Sequence, residues 1–325
     1  RSPREINTLP KSRYSTISFF ISNDPRNKNS YNDAKFTLNK RFRRKIKRAF
    51  KELGSDFYKD TKLLNHYGYL FVREALIVSD VHDSDDNMQE CLHFDAVQST
   101  NWNNVRFKPP PYFNSKLGWL MEFRSMDVPI TAREKTALIF FVTLFVRMIL
   151  DQKLGVNLYV PISKVDSNFA RCVLMNSDIN EKFYFRRYFC EYLHGKNVRN
   201  DEMVELTLAE LLEGNSNFDG IKALIQAFVQ VNAENLKAES KKLGYNVVNC
   251  IWEVYRFYVA RCKNELMSNS RFIRNFIRSH NDYKFDSLVP DSIVTDLIDK
   301  LLEIQRSDYH DSLFGDYLAH LDAKL

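Results

Sequence analysis

Regularly spaced apolar side chains dominate the chain after residue 132, and they constrain its fold more than any other feature. Leu, Ile, Val and Phe recur there at intervals of three and four residues, which places them on one side of a helix. Gly and Pro are scarce, nine of each in 325 residues, so few turns interrupt the pattern. We predict a helical lobe, with helices over 133–153, 163–175, 180–193, 204–213, 219–232, 233–243, 246–264, 265–280 and 290–306.

The longest apolar run, ALIFFVTLFVRMIL at 137–150, lies in the first of these helices. It contains Arg147, and it is shorter than the ~20 apolar residues that a membrane span requires. We therefore interpret the run as a buried core helix and expect no membrane attachment.

Composition and cysteine usage indicate a reduced, cytoplasmic protein. Apolar residues make up 44% of the chain and charged residues 27%, which is typical of a globular protein. The five cysteines lack CxxC spacing, so we expect neither a zinc site nor a disulfide framework. The polar opening has no secretory signal and begins with Arg rather than Met, which we interpret as part of a longer polypeptide.

Positive charge is concentrated between Lys40 and Lys51. The net charge is +6, and this segment alone contributes eight Lys and Arg, so the rest of the chain is slightly acidic. Apolar residues at 42, 46, 49, 50 and 53 have helical spacing, which predicts a basic amphipathic helix. Such a helix could bind RNA, an anionic membrane or a calmodulin-like partner. A solvated basic face requires only ordinary packing of the apolar stripe, and we expect that instead.

Two segments have the alternation of strands, 104–108 and 118–128, and a proline-rich bend at 109–114 separates them. Consecutive prolines cannot donate hydrogen bonds to a sheet, so the first strand must end at the bend. We predict that the two strands pair as a hairpin whose apolar side packs on helices. That apolar side carries Val105, Phe107, Trp119, Met121 and Phe123.

The opposite side of this hairpin would present Arg106, Lys108, Glu122 and Arg124 together. Three cations and a carboxylate on one face could be an exposed surface with ordinary ion pairs, and spacing alone favours that interpretation. The alternative is a site for phosphate with bound Mg²⁺, because arginine suits phosphate oxygens and a carboxylate can hold a hard cation.

Two other charged segments are expected to be solvated. Residues 79–95 carry acidic, His and Cys side chains without a metal-ligand spacing, which predicts an acidic loop. Arg271, Arg274 and Arg278 form a helical stripe that could cover acidic groups of a partner, but a solvated face is the simpler interpretation.

The run STNWNNVRFKPPP followed by GWLMEFRSMD, at 99–127, resembles the C-terminal half of eukaryotic-type glutamate–cysteine ligase catalytic subunits. Further matches occur in the family's order along nearly the whole chain. They are KSRY at 11–14, LFVR at 70–73, PISKV at 161–165, FYFR at 183–186, ELM at 265–267 and HNDYK at 280–284.

The resemblance implies an α+β fold with part of a glutamine-synthetase-like antiparallel sheet, followed by a mainly helical lobe. We expect residues 1–130 to belong to the catalytic lobe with the active-site strands, and 131–325 to form the helical lobe. It implies ATP-dependent ligation of the glutamate γ-carboxylate to the cysteine amine through γ-glutamyl phosphate, the first step of glutathione biosynthesis. Implied ligands and partners are ATP, Mg²⁺, L-glutamate, L-cysteine, and a regulatory subunit or a second copy of the chain.

Carried over motif by motif, the resemblance assigns Mg²⁺ ligation to Glu122 and a catalytic, phosphate-contacting role to Arg124. Lys108 falls beside the nucleotide, as does Arg106, which is either functional or a structural ion-pair partner. Trp102 would line the amino-acid pocket, and Tyr14 would face the cysteine side.

Departures from the family pattern limit these expectations. Leu120, Ser125 and Asp127 replace an arginine, a proline and a glutamate of the family's GWRVEFR segment and its continuation. The family's N-terminal half, which supplies most of the Mg²⁺ carboxylates, has no match here, so we expect these 325 residues alone not to ligate glutamate to cysteine. The alternative is a diverged, non-catalytic relative that binds a partner or nucleic acid through the basic helix 40–51.

Overall fold

The computed structural model describes residues 13, 20–73, 76, 92–99, 101, 105–108, 116–124, 126, 128–307 and 309–318. Two small antiparallel sheets lie among many helices, so the α+β class with a mainly helical lobe is confirmed. The chain divides into two compact units. One comprises Arg1–Met126 with Tyr159–Phe169, and the other comprises Asp127–Leu158 with Ala170–Leu325.

The first unit contains two capped helices, α1 (Lys40–Glu52) and α2 (Thr61–Leu70). The Asn39 side chain accepts a hydrogen bond from the backbone of Phe42, and it thereby satisfies one of the free amides at the start of α1. The helices approach closely at Gly68, where a Cβ atom would lie 3.3 Å from the Cβ of Arg43. A glycine therefore permits this crossing.

The apolar side of α1 packs in the core of this unit, as its spacing predicts. Phe42, Ile46 and Phe50 contact a cluster built on buried residues of α2. The ring of Phe42 stacks on Phe71, with 3.8 Å between ring centroids. Leu53 differs from the expectation: it follows the last residue of α1 and is 74% exposed.

Helix α3 (Leu92–Ser99) precedes the hairpin formed by β1 (Val105–Lys108) and β2 (Leu120–Phe123). The acidic loop predicted at 79–95 is wrong at its end because α3 begins at Leu92; residues 79–91 lie outside the described residues. The strands pair antiparallel, as expected.

The apolar side of the hairpin packs as predicted only in part. Trp119 is half-buried and packs against the apolar cluster of α2, whereas Met121 is 56% exposed and Phe123 is 43% exposed. Alternation established which residues share this face, but burial of the face depends on what lies over it.

In the second unit, the helices at 132–150 and 247–262, here called α4 and α11, contribute the buried residues Leu144, Met148, Val254 and Phe257. The residues of the helix at 162–172, here called α5, are divided between the two units. The helices are α4 (Ala132–Leu150), α5 (Ile162–Cys172), α6 (Ser177–Asn180), α7 (Glu191–His194), α8 (Leu208–Glu213), α9 (Gly220–Val231), α10 (Ala233–Leu243), α11 (Val247–Cys262), α12 (Asn269–Ser279), α13 (Asp291–Ser307) and α14 (Asp311–Phe314).

The helix predicted over 180–193 is wrong where strand β3 (Phe183–Arg186) lies. The helix predicted over 204–213 is confirmed at 208–213, but its start belongs to strand β4 (Met203–Leu206). The two strands pair antiparallel. Arg186 is 1% exposed and pairs with Asp201, at 2.8 Å between Nη2 and Oδ1. Short apolar runs fit helix and strand equally well, and pairing between distant segments decided the outcome.

Buried polar groups join the start of α4 to α11 and α12. Glu134 is 4% exposed, and its Oε1 accepts hydrogen bonds from Arg261 at 2.7 Å and Asn269 at 2.9 Å. Its Oε2 accepts the backbone amide of Ile130 at 2.8 Å. The carboxylate is therefore compensated on both oxygens, as a buried charge requires.

The arginine stripe of α12 is only partly solvated. Arg274 and Arg278 are exposed, as expected. Arg271 instead is nearly buried and forms an ion pair with Asp178 at 2.8 Å, so its solvated assignment is wrong. None of the described helices has both the length and the hydropathy to cross a bilayer.

Candidate phosphate-binding site

The hairpin brings the charged side chains of its two strands to one face. Arg106 lies opposite Glu122 in the register, and Lys108 lies opposite Leu120. Because side chains alternate along a strand, Arg106, Lys108 and Glu122 share this face, and Arg124 follows directly after β2. The grouping expected from alternation is confirmed.

Glu122 is the central group of this face. Its Oε1 accepts a hydrogen bond from Nε of Arg124 at 2.8 Å, and its Oε2 lies 3.6 Å from Nη1 of Arg106. The hydrogen bond from Arg124 and the positive charges of Arg124, Arg106 and Lys108 lower the pKa of Glu122 below its usual value. The carboxylate is therefore ionised at neutral pH.

Gln98 near the end of α3 and Asn101 just after it each accept a hydrogen bond from one of the two arginines. Nη2 of Arg106 donates to Oε1 of Gln98 at 3.2 Å, and Nη1 of Arg124 donates to the backbone oxygen of Asn101 at 3.0 Å. Asn101 is itself fixed by a hydrogen bond to Val97 at 2.8 Å. Sequence reasoning missed Gln98 and Asn101, although both lie within or next to the STNW motif.

Charge and burial on this face favour an anion. The side chains of Arg106 and Arg124 are 10% and 17% exposed, whereas that of Glu122 is 38% exposed. Among the described residues of this face there are three cations and one carboxylate, so together these four side chains carry a net positive charge. Such a set can bind phosphate oxygens, for which the arginine fork is well suited.

A magnesium ion fits here only together with phosphate. Within the described ranges, no group of three His, Cys, Asp or Glu side chains could hold a metal. Mg²⁺ is commonly bound through one or two carboxylates plus substrate phosphates, and it keeps several waters. Glu122 can supply one such ligand, but both of its oxygens already face arginines.

Two predicted site residues, Trp102 and Tyr14, lie outside the described residues. Their assignment to the amino-acid pocket and to the cysteine side stays a prediction. The structure therefore groups Arg106, Lys108, Glu122 and Arg124 on one face, and the functional roles assigned to all six residues stay predictions.

A groove in the second unit is a weaker candidate. It measures about 680 Å³ and lies along the end of α4 and the start of α10. Its polar groups bond to one another or to the backbone: Nη2 of Arg147 lies 2.7 Å from Oε1 of Glu239, Asn232 donates to Asp151 at 2.7 Å, and Nζ of Lys153 donates to the backbone oxygen of Val231 at 3.2 Å. These pairs leave few polar groups directed at a ligand.

Comparison with known proteins identifies relatives along most of the chain. A sequence model of the family described as glutamate-cysteine ligase matches residues 2–304. The chain is similar to the glutamate–cysteine ligase of Schizosaccharomyces pombe, with 34% identity over 97% of this chain and 44% of the relative. It is 32% identical to that of Dictyostelium discoideum over 94% of this chain and 46% of the relative.

The human glutamate–cysteine ligase catalytic subunit is 30% identical, over 91% of this chain and 45% of the relative. The chain thus spans somewhat less than half the length of the curated relatives it matches.

Proposed function

This chain belongs to the glutamate–cysteine ligase family, and we propose that its hairpin is the phosphate side of a site that joins glutamate to cysteine using ATP. The proposal extends to this chain the activity named in its relatives. The observation that supports it is the face on which three cations surround Glu122, with Arg106 held by Gln98 of α3 and Arg124 held by Asn101 just after it.

The proposed reaction has two steps, transfer of a phosphoryl group to glutamate and transfer of the glutamyl group to cysteine. An oxygen of the glutamate γ-carboxylate attacks the γ-phosphorus of ATP, and the bond to the leaving ADP breaks. The amine of cysteine then attacks the acyl carbon of γ-glutamyl phosphate; inorganic phosphate leaves and the nitrogen loses a proton. Negative charge is therefore present on phosphate oxygens throughout, and fixed cations stabilise it best when they need no rearrangement.

The residues of the hairpin have separate roles in this proposal. Arg124, oriented by Glu122 and Asn101, contacts the phosphoryl group that is transferred. Arg106 and Lys108 contact the remaining phosphates of the nucleotide. Glu122 would be one ligand of a bound magnesium ion, which would neutralise part of the phosphate charge.

The proposed substrates are L-glutamate, L-cysteine and ATP. Trp102 and Tyr14 are proposed to contact the amino acids. The human and mouse relatives are named catalytic subunits, so we propose a regulatory subunit or a second copy of the chain as a protein partner.

Titration of the chain with Mg²⁺–ADP tests the phosphate site. We expect binding, and we expect Arg124→Ala to weaken it at least about tenfold, because a hydrogen bond to a charged group contributes about 1.5–3 kcal/mol. Lys116→Ala is the matched control: it removes an exposed cation shortly before β2. Absence of binding by the unmodified chain, or an equal loss in the control, contradicts the proposed site.

The reaction itself is tested on the protein isolated from its native source. Formation of γ-glutamylcysteine together with an equal amount of ADP is expected from glutamate, cysteine and ATP. Nucleotide binding without this product would favour a non-catalytic relative.

A further inference from the structure

The outer surface of α1 is a continuous field of positive charge. Seven of its cations are exposed, and within the part of the chain that the structure describes none of the seven pairs with a carboxylate. No acidic residue precedes Glu52 in the helix. The seven residues, here called the α1 cations, are Lys40, Arg41, Arg44, Lys45, Lys47, Arg48 and Lys51.

The apolar side of the same helix is already occupied. Phe42, Ile46 and Phe50 pack against the core cluster of α2, and Arg43 is held by a hydrogen bond from its Nε to Asn65 at 2.6 Å. A helix that lies in a membrane or in a peptide-binding groove inserts its apolar face. The apolar face of α1 is not available for that, so only its charge can be used for binding.

The α1 cations oppose the stability of their own helix. Like charges four residues apart repel, as in the pairs Lys40 with Arg44 and Arg41 with Lys45. Cations in the first turn also face the positive end of the helix dipole, and no acidic residue is present there to compensate. Packing of the apolar stripe against α2 does not require seven cations on the opposite side of the helix. A role as an ordinary solvated face therefore does not explain why they are concentrated there.

The α1 cations form two rows. Lys40, Arg44, Lys47 and Lys51 lie in one row, and Arg41, Lys45 and Arg48 lie in the other, about 100° around the helix. Because a helix with side chains is about 10–12 Å across, rows about 100° apart are separated by about 8–9 Å at the helix surface. The major groove of B-form DNA is about 12 Å wide and has phosphates on both sides.

We infer that the α1 cations bind the phosphate backbone of duplex nucleic acid, with one row directed at each strand. A helix bound in the surface of an anionic bilayer inserts its apolar face, and α1 has no free apolar face to insert. The inference does not rest on the proposed ligase function. It replaces the sequence-based expectation of a solvated face. Packing of the apolar side of α1 excludes binding by insertion of that side, so binding through the α1 cations remains.

Fluorescence anisotropy with a labelled DNA duplex of about 20 base pairs tests the inference, with salt raised from about 50 to 200 mM. The test variant carries Arg41→Ala, Lys45→Ala and Arg48→Ala, which removes one row. The matched control carries Lys237→Ala, Lys241→Ala and Lys242→Ala, three exposed cations of α10 with the same change in net charge.

We expect the unmodified chain and the control to bind with a steep loss of affinity as salt rises. The test variant should bind at least about tenfold more weakly, and the slope of log affinity against log salt should fall by about 2.7, or 0.9 for each lost phosphate contact. Circular dichroism should show unchanged helix content, because Ala favours helix and relieves repulsion.

Several results would overturn the inference. They are absence of salt-dependent binding, an equal loss in the α10 control, and an unchanged salt slope in the test variant. Binding to phosphatidylserine vesicles by a chain that does not bind DNA would also exclude it and would assign the α1 cations to a membrane surface. A duplex RNA of the same length should bind more weakly than DNA, because its major groove is deep and narrow.

Discussion

Nε of Arg124 donates a hydrogen bond to Oε1 of Glu122 at 2.8 Å, although the two residues are only two positions apart. Arg124 is also held by the backbone oxygen of Asn101 at 3.0 Å. The guanidinium is thus oriented by one contact along the chain and one from a distant segment. This arrangement leaves the group fixed before any ligand binds, which reduces the entropy lost on binding.

Replacement of the carboxylate separates two roles of Glu122. Glu122→Gln should weaken binding of Mg²⁺–ADP severalfold, because a metal ligand is lost. It should leave binding of metal-free ADP unchanged or stronger, because three cations are then less neutralised. Titrations with and without Mg²⁺ measure both effects, and an equal loss in the two conditions would reduce Glu122 to an orienting partner of Arg124.

The same pair predicts a pH dependence of stability. The pKa of Glu122 is lowered by the hydrogen bond from Arg124 and by nearby cations, so the charged form is favoured in the folded protein. Its contribution is complete above the usual value of 4.5 and is lost as pH falls through the lower, folded pKa. The free energies of unfolding of the unmodified chain and of Glu122→Gln, measured with urea, should differ by at most about 1 kcal/mol at pH 7, since the side chain is partly exposed. The two values should converge in acid.

The buried contact between Gln98 and Arg106 predicts a positioning effect. Gln98 is 2% exposed, and its Oε1 accepts from Nη2 of Arg106 at 3.2 Å. Gln98→Leu should lower the affinity for Mg²⁺–ADP about tenfold, because it removes a hydrogen bond that orients the Arg106 guanidinium. Ser99→Ala at the end of the same helix is the control, and a loss confined to thermal stability would limit Gln98 to a structural role.

Glu134 and Arg261 should dominate the polar contribution to stability in the second unit. Removal of one member of a buried ion pair destabilises by about 3–5 kcal/mol, so Glu134→Ala should lower the free energy of unfolding by that amount. Urea denaturation measures it. The double variant Glu134→Leu with Arg261→Met should recover most of the loss, and failure to recover would indicate that Asn269 and Ile130 depend on the carboxylate.

We expect these 325 residues by themselves to bind nucleotide but not to form γ-glutamylcysteine. The described face has a single carboxylate, which cannot organise several metal ions around a triphosphate. A coupled assay for ADP release with glutamate and cysteine measures the activity. Turnover by the isolated chain would show that its own residues complete the site.

Local pattern was sufficient for much of this protein. Helical spacing predicted α1, α4, α9, α10, α11, α12 and α13, because long amphipathic segments have one favourable way to bury their apolar side. Alternation grouped Arg106, Lys108, Glu122 and Arg124 correctly, since the two faces of a strand follow from its geometry. The motifs at 99–127 indicated the family, which the comparisons confirm.

Tertiary structure decided what local pattern leaves open. β3 and β4 are strands because they pair with each other across a helix and a turn, and no local period encodes that partner. The hairpin's apolar side is exposed at Met121 and Phe123, since burial depends on neighbouring elements rather than on alternation. Likewise, Gln98 and Asn101 orient the site arginines across 8 and 23 positions of the chain, contacts that form only when the segment 98–101 packs against the hairpin.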